Sequence, residues 1–219
     1  MKINSIVLPV SAAIGNVSAE CIIPEQVRCV MTLAHGAGAG MDHTFMVSLA
    51  NALAAYGIAT LRFNFPFSEN KKRRPDTPAI AHQTVAAAIA KAQELFPSLP
   101  LFVSGKSFGG RMSSQYLSSQ VNSAVQGIIF YGFPLHPAGK PSTDRADHLK
   151  LVKQPMLFLQ GTKDALATWE LIESVCTSLP QATLLKIEGA DHSFKAGKKD
   201  IMSELVKGSY DWIQEKLKK

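Results

Sequence analysis

The sequence lacks the long apolar run that a membrane span requires. A transmembrane helix takes about 20 consecutive apolar residues, and the apolar stretch near the N-terminus, IVLPV, is short and broken by Pro9. This stretch is also too short for the apolar core of a secretory signal, although the SAA that follows is similar to a cleavage site. We therefore expect no membrane partner, and secretion is the less favoured alternative.

Cysteine is also scarce, with three residues at Cys21, Cys29 and Cys176. An odd number at wide spacing forms neither a disulfide framework nor a zinc-ligand pattern. The sequence therefore favours the reducing cytoplasm as the location, and we expect neither a metal nor an organic cofactor.

No repeat, low-complexity stretch or linker divides the 219 residues, of which 46% are hydrophobic and 18% charged. This composition excludes disorder and suits a single domain, residues 1–219, with a sizeable core. The net charge of +6 comes largely from KKRR at 71–74 and from lysines near the C-terminus. No nucleic-acid-binding motif accompanies these clusters, so we expect no nucleic-acid partner. The oligomeric state is not indicated.

Buried strands and helices alternate from about residue 28 onward. The predicted strands are continuous apolar runs: VRCVMTLAH, IATLRF, PLFVS, VQGIIFYG, PMLFLQG and ATLLKIEG. Predicted helices separate them, one capped by Asp42 and ended by Gly57, the others at about 78–96, 107–119, 169–179 and 200–217. Residues 5–9 and 18–23 are expected to pair as an edge hairpin. The pattern predicts an α/β fold with a mostly parallel, twisted sheet of about seven or eight strands and helices on both faces.

The segment VSGKSFGG, residues 103–110, fits two different motifs. Its GKS is the end of a phosphate-binding P-loop, but that loop requires a glycine where this chain has Pro100. The intervening LFVS is an apolar strand and cannot wrap a phosphate. The same segment is G-x-S-x-G, which predicts a sharp strand-to-helix turn that exposes a nucleophilic Ser107. Such a turn needs small residues two before and two after the serine, and Gly105 and Gly109 satisfy that need.

An acid and a histidine follow Ser107 in the order that a nucleophilic triad on this architecture requires. Asp164 comes directly after the strand PMLFLQG, and His192 comes after ATLLKIEG. The carboxyl ends of parallel strands meet at one edge of a sheet, so we expect these side chains to meet Ser107. Asp144 and Asp147 are weaker candidates for the acid, because they lie in a longer excursion after an earlier strand. Asp191 is expected to brace the loop of His192.

The loop HGAGAG, residues 35–40, follows the first buried strand. A dinucleotide-binding turn is the less favoured alternative, because Met41 stands where the last glycine of that motif belongs. The loop instead suits an oxyanion hole, in which the backbone N–H groups of Ala37 and Phe108 bind a developing negative charge. We expect His35 to form local hydrogen bonds that hold the loop.

The motifs HGAG, GKSFGG, GTKD and DHSF together resemble the α/β-hydrolase superfamily over nearly the whole chain. LAHGAGAGMDH, LRFNFPF with the basic stretch after it, and GKSFGGR are similar to the Tex30/KANSL3-like group, near the dienelactone hydrolases. The resemblance implies an eight-stranded α/β-hydrolase fold, whose first strands are reduced in some members, and a triad of Ser107, Asp164 and His192. It implies no particular substrate, and Ser107 replaces the cysteine nucleophile of the dienelactone hydrolases.

Residues beside these motifs are expected to form the substrate pocket: His35, Gly36, Phe65, Phe67 and Lys106. Two interpretations stay open for several of them. Lys106 either pairs with a carboxylate on the rim, which we favour, or attracts an anionic substrate. Phe65 and Phe67 either line the pocket or pack within their loop. The basic loop 71–74 is either a solvated segment or a device that concentrates an anionic substrate.

We therefore expect a serine hydrolase that acts on a small carboxylic ester or related acyl compound. His192 would remove the Ser107 proton, and Asp164 would orient the imidazole. The alternatives are a serine peptidase with the same machinery, or a non-catalytic interaction module that keeps the fold. The excursion from 133 to 154 has only about 20 residues, too few for a large helical cap, so little or no lid is expected.

Overall fold

A computed structural model describes residues 1–120 and 122–218 of the protein. Its strands are β1 (Lys2–Ser11), β2 (Gly15–Ile23), β3 (Cys29–Ala34), β4 (Ile58–Phe63), β5 (Leu101–Lys106), β6 (Val125–Tyr131), β7 (Met156–Gly161) and β8 (Ala182–Ile187). Its helices are α1 (Thr44–Ala54), α2 (Pro66–Glu69), α3 (Pro78–Leu95), α4 (Phe108–Ser119), α5 (Trp169–Thr177), α6 (Ile201–Leu217) and a 3₁₀ helix (Asp144–Leu151). Along these described stretches, no helix has both the length and the apolar character needed to cross a bilayer.

The strands form one sheet in the order β1-β2-β4-β3-β5-β6-β7-β8. The first two strands pair antiparallel, β2 is antiparallel to β4, and each further pair is parallel. The predicted mostly parallel α/β fold and the edge hairpin are thus confirmed. The hairpin strands are not reduced, since they have 10 and 9 residues.

The central strand β3 lies between β4 and β5, and this arrangement sets the position of the site. The chain leaves β3 toward one side of the sheet through β4 and returns to the other side at β5. At such a switch point the loops after the two strands diverge and leave a crevice at their carboxyl ends. Ala34, the last residue of β3, is paired with Gly105, so the HGAGAG loop and Ser107 leave the sheet side by side.

Both faces of the sheet are covered by helices, which follows from strands that are apolar on both sides. One layer of the core joins the sheet to α3, α4 and α5 through residues such as Val85, Met112 and Ile172. The other joins it to α1 and α6 through Leu49 and Leu205.

The first helix begins differently from the prediction. His43, not Asp42, caps α1, because its Nδ1 accepts a hydrogen bond from the N–H of Phe45 at 3.2 Å. The Asp42 carboxylate lies instead 3.9 Å from Nη1 of Arg62, a buried arginine that also pairs with Glu20. The competing cation removes the aspartate from the helix end. The predicted starts of two other helices agree with the structure. Thr77 precedes Pro78 at the start of α3, and Asp200 caps α6.

All three cysteines are buried and unpaired. Burial raises the thiol pKa to about 11 for Cys21 and to about 12 for Cys29 and Cys176. Because a thiolate is the reactive form of cysteine, these three side chains act as small apolar residues of the core.

Candidate active site

Ser107 is the single residue between β5 and α4. Its φ of 51° and ψ of −116° are strained for a residue with a side chain. A Cβ on Gly105 would lie 2.4 Å from the backbone nitrogen of Gly110, and one on Gly109 would lie 2.5 Å from the carbonyl oxygen of Ala34. No side chain fits at either position, which is the physical reason for the glycines of the G-x-S-x-G turn.

The structure brings the three predicted triad side chains together in one hydrogen-bonded chain. Ser107 Oγ lies 2.8 Å from His192 Nε2, and His192 Nδ1 lies 2.7 Å from Asp164 Oδ2. Asp164 is on the loop after β7, and His192 is on the loop after β8. The Asp164 side chain is only 1% exposed, whereas that of His192 is 23% exposed. The acid is therefore enclosed, while part of the imidazole side chain remains exposed.

A buried glutamine that the sequence analysis missed holds Asp164 in place. Gln160 Nε2 donates to Asp164 Oδ2 at 2.6 Å, and Gln160 Oε1 accepts from the N–H of Phe133 at 2.8 Å. Asp164 Oδ1 accepts from the N–H of Leu166 at 2.8 Å. Together with His192, these donors fix both carboxylate oxygens. The signal in the sequence was a lone polar side chain in the buried strand MLFLQG.

Lys106 reaches across the site to the loop of His192. Its Nζ donates to the carbonyl oxygen of His192 at 2.5 Å and lies 5.1 Å from the ring centre of Phe194. Within the described residues, no carboxylate lies in salt-bridge range of it. The expected ion pair with a rim carboxylate is therefore not formed, because the loop carbonyl takes the ammonium group.

The Lys106 ammonium group also lies next to the histidine–aspartate pair. A Cβ built on Gly132 would be 3.2 Å from Lys106 Nζ, 3.6 Å from Asp164 Oδ2 and 3.7 Å from His192 Cε1. Burial lowers the Lys106 pKa to about 8, and the charges of Asp164 and Asp191 oppose that effect. Lys106 thus contacts the loop that carries His192, and it is not among the residues that line the cavity.

Asp191 holds the turn that carries His192. Its Oδ1 accepts from the N–H groups of Ser193 and Lys195, each at 2.9 Å. The expected brace is present, and it leaves Asp164 as the carboxylate bonded to the imidazole.

The imidazole of His35 joins the HGAGAG loop to the loop after β4. Its Nδ1 donates to the carbonyl oxygen of Gly36 at 2.8 Å, and its Nε2 accepts from the N–H of Phe65 at 3.0 Å. Burial lowers the His35 pKa to about 4, so the ring is neutral at physiological pH. This agrees with the expectation that His35 holds the loop.

The aromatic residues expected in the pocket lie behind its wall. Phe65 and Phe67 are 0% and 2% exposed, and both pack edge-on against Phe108. His35 packs against both rings. None of the five residues predicted to form the pocket is among the residues that line the cavity at Ser107. Gly36 lies close to the nucleophile, since a Cβ built on it would be 3.7 Å from Ser107 Cβ.

Ala37 and Phe108 line the cavity together with Ser107. Neither backbone N–H donates a hydrogen bond to another group within the described residues. Two free donors beside the nucleophile are what an oxyanion hole requires.

The cavity at Ser107 has a volume of about 860 Å³ and is strongly cationic. Its charged lining residues are Lys72, Arg74, Arg111, Arg145 and one acid, Asp76. Proline and aliphatic side chains, among them Ile80 and Leu166, form much of the remaining wall. The basic loop was singled out from the sequence, but Arg111 and Arg145 were not. The signal for Arg111 was its position four residues after Ser107, which is one helical turn.

The family comparison agrees with this geometry. A family model described as an alpha/beta hydrolase domain matches residues 27–209. Solved structures with the same fold include a dienelactone hydrolase from Anabaena variabilis, 16% identical with a TM-score of 0.78, where the match covers 98% of this chain and 97% of that one.

Two further solved structures share the fold. A lidless α/β serine hydrolase from Xanthomonas campestris is 22% identical with a TM-score of 0.76, covering 97% of this chain and 95% of that one. Est1E from Butyrivibrio proteoclasticus, solved with ferulic acid bound, is 14% identical with a TM-score of 0.78, covering 98% and 100%. At these identities the likeness shows the fold.

Proposed function

Because the chain belongs to the family of alpha/beta hydrolase domains, we propose that it is a serine hydrolase that cleaves small carboxylic esters. The observation that carries the proposal is the hydrogen-bonded chain from Ser107 through His192 to Asp164, which opens on a cavity. The names of its structural neighbours, which include an esterase domain from Rhodothermus marinus and a serine hydrolase, support the same chemistry.

The geometry is suited to acyl transfer in two steps. In the first, His192 Nε2 takes the Ser107 proton as Oγ attacks the ester carbonyl, and the same proton then passes to the departing alcohol. In the second, water gives a proton to His192 and attacks the acyl group on Ser107. The acid is released as the bond to Oγ breaks, and His192 returns the proton to Ser107 Oγ. Asp164 orients the ring and stabilises its positively charged form in both steps.

The negative charge that develops on the carbonyl oxygen also has a binding site. The N–H groups of Ala37 and Phe108 would donate to it, and the N-terminus of α4 adds partial positive charge. His35 keeps the Ala37 loop in position by linking it to Phe65. Proposed roles are thus assigned to the nucleophile, the base, its orienting acid and the oxyanion donors.

A fluorophosphonate probe tests the nucleophile directly. We expect the probe to modify Ser107, and Ser107→Ala to abolish both labelling and hydrolysis of a short para-nitrophenyl ester. Ser114 is a matched control, because its Oγ also lies 2.7 Å from a histidine nitrogen, Nε2 of His148. Ser114 is buried, so Ser114→Ala should keep the label.

Three outcomes would contradict the proposal. If the probe labels another serine and Ser107→Ala keeps its activity, that other serine is the nucleophile. A folded protein that neither reacts with the probe nor cleaves any ester would favour the non-catalytic module. Hydrolysis of peptides in preference to esters would favour the peptidase.

A further inference from the structure

Two arginines line the cavity beside Ser107 without an acidic partner. Arg111 lies one turn into α4, and its backbone N–H donates to the carbonyl oxygen of Ser107 at 3.1 Å. Arg145 lies on the 3₁₀ helix after β6, where its Nη1 donates to the carbonyl oxygen of Pro134 at 3.4 Å. In the described part of the chain, no carboxylate comes within 4.0 Å of either guanidinium group.

The position of Arg111 is electrostatically unfavourable in the free protein. A cation in the first turn of a helix opposes the helix dipole. Burial, and then the charge of Arg145, lower the Arg111 pKa. Its Nε is buried and has no hydrogen-bond partner in the described residues. A charged donor in this situation costs free energy, and an incoming anion would relieve each of these effects.

The acids and histidines nearby do not neutralise the pair. Asp76, the acid on the cavity wall, accepts a hydrogen bond from the N–H of Phe67 at 2.9 Å. Asp147 is exposed and forms no ion pair with Arg145 at 4.0 Å or less. Burial and the charge of Arg111 lower the His148 pKa to about 4. The positive charge of Arg111 and Arg145 is therefore available to a ligand.

We propose that Arg111 and Arg145 bind a free carboxylate on the substrate, so that the preferred ester of this site is one that carries a second, ionised acid group. Guanidinium groups match the two oxygens of a carboxylate. The aliphatic and proline residues of the wall suit the carbon skeleton of a small organic acid better than a strongly hydrated phosphate. This inference rests on the proposed function, because it assigns a substrate class to the same cavity.

Two matched pairs of esters test the preference. The first pair is the para-nitrophenyl monoester of adipic acid and para-nitrophenyl hexanoate, which differ by the free carboxylate on the acyl side. The second is 4-acetoxybenzoate and its methyl ester, which differ on the alcohol side. The quantity measured is the ratio of kcat/KM for the charged ester to that for its neutral match. We expect the wild-type protein to prefer the charged member of at least one pair.

Substitutions then assign the preference to the two arginines. Arg111→Gln and Arg145→Gln should each lower that ratio by about 10- to 100-fold, the loss expected for a hydrogen bond between charged groups. The ratios for Arg111→Lys and Arg145→Lys should lie between those of the wild type and of the Gln variants. Lysine keeps the positive charge but cannot form the bidentate pair of hydrogen bonds with a carboxylate. Arg28→Gln is the matched control, because Arg28 lines a separate cavity with Tyr56 and Gly57. Ratios unchanged in all arginine variants would overturn the inference while leaving the hydrolase proposal standing.

A binding measurement separates this inference from the proposed chemistry. Calorimetric titration of Ser107→Ala with the charged and the neutral ester of each pair needs no turnover. We expect binding that weakens by at least about 10-fold when Arg111→Gln is added, in a protein whose thermal unfolding confirms that it is folded. Equal binding of the charged and neutral members in both pairs would overturn the carboxylate site. Charge-selective binding without any hydrolysis by the wild-type protein would overturn the proposed function and keep the site.

Discussion

At the scale of a single residue, hydrogen bonds and burial fix the orientation of the Asp164 carboxylate. Its two oxygens accept hydrogen bonds from His192, Gln160 and the N–H of Leu166, and the side chain is almost fully buried. An acceptor on this side of the imidazole places the ring proton on Nδ1 and leaves Nε2 free to accept the Ser107 proton.

Asp164→Asn should therefore remove most of the activity while the fold persists. The amide can donate to Nδ1, which favours the tautomer with its proton on Nε2, and kcat should fall by about four orders of magnitude. Asp147→Asn serves as the control, since Asp147 lies on the 3₁₀ helix and the imidazole is bonded to Asp164. Steady-state kinetics that show full activity for Asp164→Asn and a collapse for Asp147→Asn would assign the acid to Asp147.

His35 makes the fold sensitive to acid. Its pKa is lowered from 6.5 to about 4, so between these values the unfolded chain binds a proton that the folded chain excludes. The free energy of unfolding must then fall as the pH drops through that window. Urea denaturation between pH 7 and pH 4.5 should show a smaller loss for His35→Gln, whose side chain does not titrate. Equal losses in the two proteins would contradict the buried, neutral ring.

The sequence was sufficient for residues whose position follows from strand ends. Ser107, Asp164 and His192 each follow a predicted strand, and one edge of a parallel sheet brings them together. Gln160, Arg111 and the contact of Lys106 with the His192 carbonyl depend on the packing of distant segments. That packing has no short-range sequence pattern, and for the same reason the aromatic residues expected in the pocket lie behind it.

Among the elements, the connection between β6 and β7 determines how open the site is. It contains the 3₁₀ helix Asp144–Leu151, and its apolar residues, including Phe133, Leu135 and Leu149, are buried in the core. In the described residues this connection contributes no α-helical cap over Ser107.

A cavity without an α-helical cap should favour short acyl chains. Rates for neutral para-nitrophenyl esters should fall once the chain is longer than about four to six carbons, a range set by ordinary pocket sizes. Initial rates across a series from acetate to palmitate measure this dependence. A maximum at long chains, with a rise in rate at a lipid–water interface, would indicate a cap that closes over the substrate.

Periodicity predicted the elements well because the strands are continuous apolar runs and the helices have prolines or glycines at their ends. One exception was the start of α1, and the short α2 and the 3₁₀ helix Asp144–Leu151 were not predicted either. Asp42 has the usual chemistry of a cap, but Arg62, which is distant in sequence, draws its carboxylate away. Local rules fail where a tertiary charge competes for the same side chain.

At the scale of the whole molecule, several of the positive charges lie together at the cavity. The net charge is +6, and four cations line the wall of the cavity that contains Ser107. Lys72 and Arg74 are exposed, so they would act on a charged substrate during approach, through a field that salt screens.

Lys72→Ser combined with Arg74→Ser should lower kcat/KM for the adipate ester at low ionic strength, relative to the hexanoate ester. The difference between wild type and variant should shrink as salt is added. Lys71→Ser with Arg73→Ser is the matched control and should lose less, because these two residues of the same loop do not line the cavity. A loss that persists at high salt would indicate direct contact in place of steering.

The buried cysteines also determine how the protein can be studied. With thiol pKa values of about 11 to 12, the folded chain offers almost no thiolate to a maleimide at neutral pH. A cysteine introduced at the cavity mouth by Lys72→Cys would be the fast-reacting thiol, and the native three would not need to be replaced first. A fluorophore attached there would report substrate arrival in real time. Late labelling of the native thiols would in turn report the rate at which the core opens.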